Sequence, residues 1–230
     1  MAVSSLESNP LFAEWISSSE NVLFRTGKLD QNSSILELGC GISPLNALAL
    51  ASKVARYVLT DQPYVHKFIQ QNLEENQPAA TGPRRLAKAN KKGSTSKTTA
   101  HQSGHHAADI RFQVLDWETD QVTASLTGTP DAASFDAVVA CDCVFNYALV
   151  QPFVQACVDI CKLRLADSET QRPCLAIVAQ QLRNDDVFRS WLTEFSTHFR
   201  VWRISDERLP EPLRPGAGFV VHVGVLKEYQ

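Results

Sequence analysis

Short runs of apolar and β-branched residues alternate along this chain with segments of helical periodicity, and few folds accept that order. The apolar runs span residues 34–39, 57–61, 110–115, 135–141 and 174–180. The helical patterns between and after them span residues 45–53, 64–75, 148–165 and 185–198. Strands that are apolar on both faces are typical of a parallel sheet covered by helices. The alternation therefore predicts a doubly wound, Rossmann-like α/β sheet.

The last two apolar runs, 199–204 and 219–226, are separated by a proline-rich loop without a helical pattern. Neighbouring strands that lack a crossover helix pair in antiparallel fashion. We therefore expect seven strands that are mostly parallel, with an antiparallel pair at one edge of the sheet. A length of 230 residues, of which 44% are apolar and 20% are charged, predicts a single domain over 1–230.

Residues 77–107 interrupt the alternation. They are rich in Ala, Lys, Thr, Ser, Gly and His, and they include six basic residues and no acidic residue. This composition predicts a disordered basic insertion, because it offers too little apolar surface to offset the entropy of ordering. The chain as a whole has a net charge of -3, which excludes general nucleic-acid binding. The insertion itself is either a tolerated surface segment, which we favour, or a weak contact to RNA.

The cysteine content and the apolar runs also limit the cellular setting. Six cysteines without a paired C-x-x-C spacing predict free thiols in a reducing compartment and no metal site. The N-terminal residues lack the features of a secretory signal, and no run of 18 apolar residues occurs, so we expect no membrane association. We predict a cytoplasmic location, with the nucleus as the alternative.

The segment ILELGCGIS at residues 35–43 is the most informative motif. Gly39 and Gly41 allow a sharp turn between a strand and the helix that starts after Pro44, and they leave space for a ligand. A dinucleotide-binding loop would need a third glycine where Pro44 stands. Glu37 would repel a pyrophosphate but suits the ammonium group of S-adenosylmethionine, and Asp61 can accept both ribose hydroxyls. The alternative is a tight strand–helix turn with a helix-capping Asp61.

Further candidate residues follow the third and fourth strands. Asp116 and Trp117 could bracket an adenine, although Trp117 could also pack simply at the edge of the sheet. Asp142 follows the fourth strand, at the end where open α/β sheets bind ligands. With Phe145 and Tyr147 it forms a polar and aromatic site that suits an amine. The alternative for these three residues is a helix cap followed by core aromatics.

These motifs together resemble the fungal ribosomal lysine N-methyltransferase 5 family, in the methyltransferase-like 21 branch of seven-stranded S-adenosylmethionine enzymes. The resemblance rests on ILELGCGISPL, YVLTDQPYVHKFIQQNLEEN, LDWETD, FDAVVACDCVFNYALVQPFVQACVDIC and the segments VAQQLRNDDVF, FRVWRI and GFVVHVGVLKE. It covers nearly the whole chain from Pro10 onward, apart from the insertion. It implies a seven-stranded methyltransferase sheet and methyl transfer to a lysine of a large-subunit (60S) ribosomal protein of the L1 type. The resemblance also implies that an RNA contact of the basic insertion would be with ribosomal RNA.

The resemblance assigns roles to residues at matching positions. The cofactor positions that it implies are Gly39, Cys40, Gly41, Asp61, Trp117 and Ala140. Asp142 falls on the Asp of the family's Asp-x-x-Tyr motif, where Phe145 replaces the usual tyrosine. Any role of that hydroxyl is then lost or passes to Tyr147. The family carries further upstream sequence, including a Trp that closes over the cofactor, so we expect this chain to be a shortened form.

Three functions are consistent with this sequence. The first is protein-lysine methylation, in which Asp142 orients the substrate amine while Phe145 and Tyr147 contact its aliphatic stem. The second is methylation of a nucleic-acid base or a small molecule. Enzymes of that second class carry prolines after the acid, whereas this chain has Cys143 and Val144, which favours lysine. The third is a non-catalytic protein that binds the cofactor.

Overall fold

The computed structural model describes residues 5–76, 108–129, 132–167 and 172–228. The predicted basic insertion, 77–107, lies outside these residues, and its contact with RNA stays a prediction. Within the described ranges, no helix combines the length and the apolar character needed to cross a membrane. The six cysteines all lie within these ranges and are free thiols, as the sequence predicts.

In the part of the chain that the structure describes, seven strands form one sheet. They are β1 (Ser34–Leu38), β2 (Arg56–Asp61), β3 (Asp109–Val114), β4 (Ala137–Cys141), β5 (Leu175–Gln181), β6 (Phe199–Arg203) and β7 (Phe219–Leu226). Their order across the sheet is β3-β2-β1-β4-β5-β7-β6. The strands β1 to β5 are parallel, whereas β7 runs antiparallel to both of its neighbours, β5 and β6. The predicted fold class, a mostly parallel sheet with an antiparallel pair at one edge, is confirmed.

From the first strand onward, the helices follow the predicted alternation. The α-helices of the described residues are α1 (Ser5–Ser17), α2 (Val22–Arg25), α3 (Leu45–Leu50), α4 (His66–Asn76), α5 (Val150–Ala166) and α6 (Asp185–His198). The sequence interpretation missed α1, which contains Pro10, and the short helix α2; both precede the first strand. It also missed three single turns of 3-10 helix in the loop between β6 and β7, at residues 206–208, 211–213 and 215–217.

Two apolar layers cover the sheet, and the alternation of side chains along each strand decides which layer a residue joins. On β1, Leu36 and Leu38 lie in the layer that contains Trp191 of α6. Ile35, one residue earlier, lies in the opposite layer together with Phe12 of α1. All five residues of β1 are buried. Because β2, β1 and β4 are adjacent and parallel, their carboxyl ends meet at the centre of one edge of the sheet. Open α/β folds bind ligands at this edge.

A buried ion pair fixes α5 against the start of β4. Arg164, with a side chain 8% exposed, pairs with Asp136 at 2.5 Å and donates from Nε to the carbonyl of Phe135 at 2.9 Å. Asp136 also accepts the backbone N–H of Ser34 at 2.8 Å. The pair thus connects α5, β4 and β1, and removal of either partner leaves a poorly solvated charge.

We expect Arg164→Met to lower the free energy of unfolding by about 3 kcal/mol, because it leaves Asp136 without its cation. Urea unfolding at pH 7 measures this loss. Arg25→Met is the matched control, since Arg25 pairs with Glu20 on the surface, where both side chains are more than half exposed. That control should cost less than about 1 kcal/mol. Equal losses in the two variants would contradict the role of the buried pair.

Candidate functional site

The glycine loop between β1 and α3 forms the centre of the candidate site. Gly39 and Gly41 both have left-handed backbone angles, with φ of 65° and 63°. A Cβ on Gly39 would lie 2.9 Å from Cβ of Cys143 and 3.0 Å from Cζ2 of Trp117, whereas a Cβ on Gly41 would meet nothing within 4 Å. Gly39 is therefore required for packing against Trp117 and Cys143. Gly41 borders open space, as the sequence interpretation expects of a ligand-binding loop.

Asp61, at the end of β2, holds this loop in place. Its Oδ2 accepts the backbone N–H of Gly41 at 2.8 Å, and its Oδ1 accepts that of Gln62 at 2.7 Å. The N–H of Cys40 donates to the carbonyl of Thr60 at 3.1 Å, so two adjacent residues of the loop are tied to the end of β2. Asp61 thus lies beside the glycine loop, and its contact with ribose hydroxyls stays a prediction. Each carboxylate oxygen can accept a second hydrogen bond from a ligand.

Glu37 lies beneath the loop rather than at its surface. Its side chain is 2% exposed, and it accepts hydrogen bonds from Nδ2 of Asn46 at 2.6 Å and from the hydroxyl of Tyr57 at 2.9 Å. Burial raises the pKa of Glu37 to about 7, although these two hydrogen bonds oppose the shift. The carboxylate therefore connects β1 to α3 and β2. Contact between Glu37 and a ligand ammonium stays a prediction.

Asp116 and Trp117 follow β3 on the other side of the loop. Trp117 is half-buried, and its ring meets Phe153 of α5 edge-on at 5.3 Å. Its Nε1 has no hydrogen-bond partner among the described residues. Asp116 accepts a hydrogen bond from the backbone N–H of Glu118 at 3.0 Å. Nε2 of Gln62 lies farther away, at 3.4 Å from Oδ2 of Asp116. The indole thus lies against the glycine loop, and its one polar atom is buried.

The two remaining candidates for cofactor binding, Ala140 and Cys40, have buried side chains. Ala140 is buried in β4 and pairs with Leu38 of β1 and Val178 of β5. Cys40 is also buried, and burial raises the pKa of its thiol far above the usual range. Burial has the same effect on the pKa values of Cys141 and Cys143. These thiols stay protonated at neutral pH, which excludes them as nucleophiles.

Asp142 follows β4 in a strained conformation. Its φ is 56°, which is uncommon outside glycine and is found most often for Asn and Asp. Its backbone N–H donates to the carbonyl of Ala179 at 2.8 Å, and its carboxylate forms an ion pair with Arg183. The backbone N–H of Gln181 makes a longer contact of 3.4 Å to Oδ1. The side chain of Asp142 is only 6% exposed.

A cavity of about 50 Å³ opens beside Asp142, and Phe145, Gln180, Arg183 and Phe188 are among the residues that line it. Phe145 is 64% exposed and Tyr147 is 58% exposed. Tyr147 does not line the cavity, so its predicted contact with a substrate stem stays untested. The sequence interpretation missed Gln180 and Arg183. The only signal for them is their position at and just after the end of β5, next to the fourth strand.

Curated relatives of this chain were found by sequence comparison. It is 27% identical to ribosomal lysine N-methyltransferase 5 of Kluyveromyces lactis over 180 residues. The match covers 75% of this chain and 52% of that protein. It is 28% identical to the protein of the same name from Lachancea thermotolerans over 170 residues. The match covers 73% of this chain and 48% of that protein. The chain resembles the fungal ribosomal lysine N-methyltransferase 5 proteins. It spans about half the length of these relatives.

A relative with a different name has a similar level of identity. The diaminohydroxyphosphoribosylamino-pyrimidine deaminase of Schizosaccharomyces pombe is 27% identical over 184 residues, which cover 79% of this chain and 35% of that protein. No family model matches the chain.

Solved structures agree with the fold. The methyltransferase domain of bacterial CtHen1-CN superposes with a TM-score of 0.54 and 12% identity, over 95% of this chain and all of that one. The N-methyltransferase NodS from Bradyrhizobium japonicum gives a TM-score of 0.50 and 12% identity, over 98% of each chain. At such low identity these structures establish the methyltransferase fold alone.

Glu37 should make the stability of the protein depend on pH. Burial raises its pKa from about 4.5 to about 7, so the folded state binds this proton more tightly than the unfolded state. The contribution is complete below pH 4.5 and is lost as the pH rises through 7, which amounts to about 3 kcal/mol. Glu37→Gln cannot ionise and should remove this loss. Between pH 4 and pH 8 the difference in stability should therefore shift by about 3 kcal/mol in favour of the variant.

Urea unfolding at intervals from pH 4 to pH 8 measures the effect as the difference between variant and parent. Glu14→Gln is the control, because Glu14 is exposed on α1. A Glu37→Gln difference that stays constant with pH would show that Glu37 does not titrate in this range.

Proposed function

We propose that this chain is an S-adenosylmethionine-dependent methyltransferase that acts on a lysine side chain of a large-subunit ribosomal protein. One observation carries the proposal: an open glycine loop, with Asp61 bonded to it, shares an edge of the sheet with the acid Asp142. The resemblance to proteins named ribosomal lysine N-methyltransferase 5 supports the substrate class. An L1-type protein is the specific substrate that we propose.

The residues around the loop fit S-adenosylmethionine. The space beside Gly41 admits a ligand close to the backbone, and Asp61 keeps acceptor capacity for ribose hydroxyls. Trp117 offers an aromatic face and an indole N–H without a partner among the described residues, which suits an adenine ring. When bound, S-adenosylmethionine supplies a methyl group made electrophilic by the positively charged sulfur.

The acceptor lysine must reach this methyl group as a neutral amine. Its amine has an ordinary pKa near 10.4 and is protonated at neutral pH, so a proton leaves to solvent before attack. The lone pair of the amine then forms the new N–C bond, while the C–S bond breaks and its electron pair stays on sulfur. Asp142 accepts an N–H of the amine, and Phe145 packs against the aliphatic stem. Their role is positioning.

A non-catalytic protein that binds the cofactor is the competing function. Phe145 in place of the motif tyrosine and the near-complete burial of Asp142 favour it. Methylation of a nucleic-acid base or small molecule is less favoured, since Cys143 and Val144 stand where that class carries prolines.

Labelled S-adenosylmethionine distinguishes these functions. The protein is incubated with large-subunit ribosomal proteins stripped of RNA, with total RNA, and with buffer alone. Label on a protein lysine supports the proposal, and label on RNA supports the second class. Binding without label in any fraction supports the non-catalytic function.

Asp61 should dominate cofactor affinity. Asp61→Ala removes a charged hydrogen-bond acceptor, which should cost about 1.5–3 kcal/mol, or roughly ten- to a hundredfold in Kd. Asp61→Asn retains one acceptor oxygen and should lose less. Calorimetric titration with S-adenosylmethionine measures both, and thermal unfolding without ligand reports any loosening of the loop. An unchanged Kd in Asp61→Ala would overturn this assignment.

Asp142 should affect the rate of methyl transfer rather than the affinity for the cofactor. Asp142→Asn suits the left-handed backbone at this position, so the fold is preserved while the carboxylate is lost. We expect methyl transfer to fall about a hundredfold with little change in cofactor affinity, because misplacing a reacting group has an effect of that size. Asp61→Asn serves as the opposite control, with weakened binding and retained turnover at saturating cofactor. Equal effects of the two variants on binding would contradict the separation of roles.

A further inference from the structure

Arg183 covers the carboxylate that the proposed reaction needs. It lies in the turn after β5 and forms an ion pair with Asp142. The Arg183 side chain is 35% exposed, against 6% for Asp142. A substrate amine that approaches Asp142 therefore meets a guanidinium beside it.

The guanidinium is also fixed in orientation. Its Nε donates to Oε1 of Gln181 at 2.9 Å, and the backbone N–H of Gln181 makes the 3.4 Å contact to Asp142. Arg183, Gln181 and Asp142 thus connect the ends of β4 and β5. A planar guanidinium held at two points keeps its position better than a flexible ammonium would.

This ion pair changes what kind of amine the site favours. A bare carboxylate within about 4–6 Å stabilises an ammonium and raises its pKa by about 1–3 units. That effect opposes methyl transfer, because only the neutral amine has a free lone pair. A carboxylate already paired with a guanidinium can still accept a hydrogen bond, but it attracts a second cation much less.

Gln180 also lines this cavity and carries a second acceptor. Gln180 is 4% exposed, and its Oε1 has no hydrogen-bond partner among the described residues. A neutral primary amine has two N–H donors and one lone pair. Asp142 and Gln180 together provide acceptors for both donors, which leaves the lone pair free.

We propose that Arg183 is a positioning residue that neutralises Asp142, so that the site takes the acceptor lysine as its neutral amine. This inference rests on the proposed function and extends it to the protonation state of the substrate. It also assigns Gln180 as the second acceptor for the amine.

Other titratable groups around Asp142 have to be considered in a pH experiment. Asp142 acts electrostatically on Cys141 and Cys143, and Glu37 and Asp61 act on Cys143 in turn. Asp185 and Asp186 begin α6, and His222 lies in β7, beside β5. The pKa of Glu37 is about 7, so Glu37 titrates within the range of the assay. Desolvation, with a further effect of Arg203, lowers the pKa of His222 to about 4, which keeps His222 neutral. Glu37 is present in the parent protein and in every Arg183 variant, so each comparison is made between parent and variant at the same pH.

The first test is the pH dependence of methyl transfer to RNA-free large-subunit ribosomal proteins. Arg183→Gln should move the acidic limb of the profile upward by about one pH unit, so that the rate falls about tenfold at pH 7 and recovers at higher pH. Arg183→Lys keeps the charge and should keep the limb in place. An unmoved limb with a uniform loss of rate at all pH values would overturn the proposal, because it indicates a purely structural role.

The second test needs no turnover. The protein saturated with S-adenosylhomocysteine is titrated with n-butylamine, a mimic of the lysine side chain, at pH 7 and at pH 10, and binding is followed by NMR. The parent protein should bind more tightly at pH 10, where more of the amine is neutral. Arg183→Gln should bind about tenfold more tightly than the parent at pH 7, because Asp142 then attracts the ammonium.

The neutral analogue n-butanol is the matched control and should bind parent and variant equally. Arg183→Met provides a second neutral variant if Arg183→Gln unfolds. Parent-like affinity of both neutral variants for n-butylamine at pH 7 would overturn the proposal. If the parent labels no ribosomal protein, the proposed substrate is wrong, and the n-butylamine titration still decides the effect of Arg183.

Discussion

The carboxylate of Glu37, buried under the glycine loop, is the interaction on which the candidate site depends. It accepts hydrogen bonds from Tyr57 of β2 and Asn46 of α3, so the central strand, its neighbour and the following helix share one polar contact. A buried carboxylate is stable only when such partners offset its loss of hydration. The loop above it is in turn fixed by Asp61. The position of Gly41 therefore follows from two carboxylates, of which one is inside the core and one lies at its border.

Much of the fold could be predicted from the sequence because its signals are local. Each parallel strand is an apolar run that ends in a turn or an acid, and the helices between them carry their own periodicity. The antiparallel edge was predictable because the sequence between its two strands carries no pattern of a crossover α-helix. The first helix, α1, was not, because its Pro10 and its place before the first strand give no alternation to recognise. Its burial through Phe12 and Ile16 depends on contacts with distant parts of the chain.

In the candidate site, too, residues of a local motif could be predicted, whereas residues that depend on tertiary contacts could not. Gly39, Gly41 and Asp61 belong to a motif with fixed spacing, so their proximity could be predicted from the order of the strands. Arg183 and Gln180 could not, because their importance arises only where β4 and β5 lie side by side. Local spacing likewise gives no sign that a hydroxyl from Tyr57 meets Glu37. Residues that act through tertiary neighbours carry no signature of their own in a single sequence.

Three carboxylates converge at this edge of the sheet, and each is compensated in a different way. Burial favours the protonated form of Glu37, Asp61 accepts two backbone N–H groups, and Asp142 pairs with Arg183. A reaction between a sulfonium and an amine gains little from negative charge at the amine, because that charge would hold the amine in its unreactive cationic form. Charge compensation at Asp142 therefore suits the chemistry better than an exposed carboxylate would. In the proposed reaction Asp142 and Gln180 orient the amine, so that the phenylalanine at position 145, where the resemblance expects a tyrosine, is less of an obstacle.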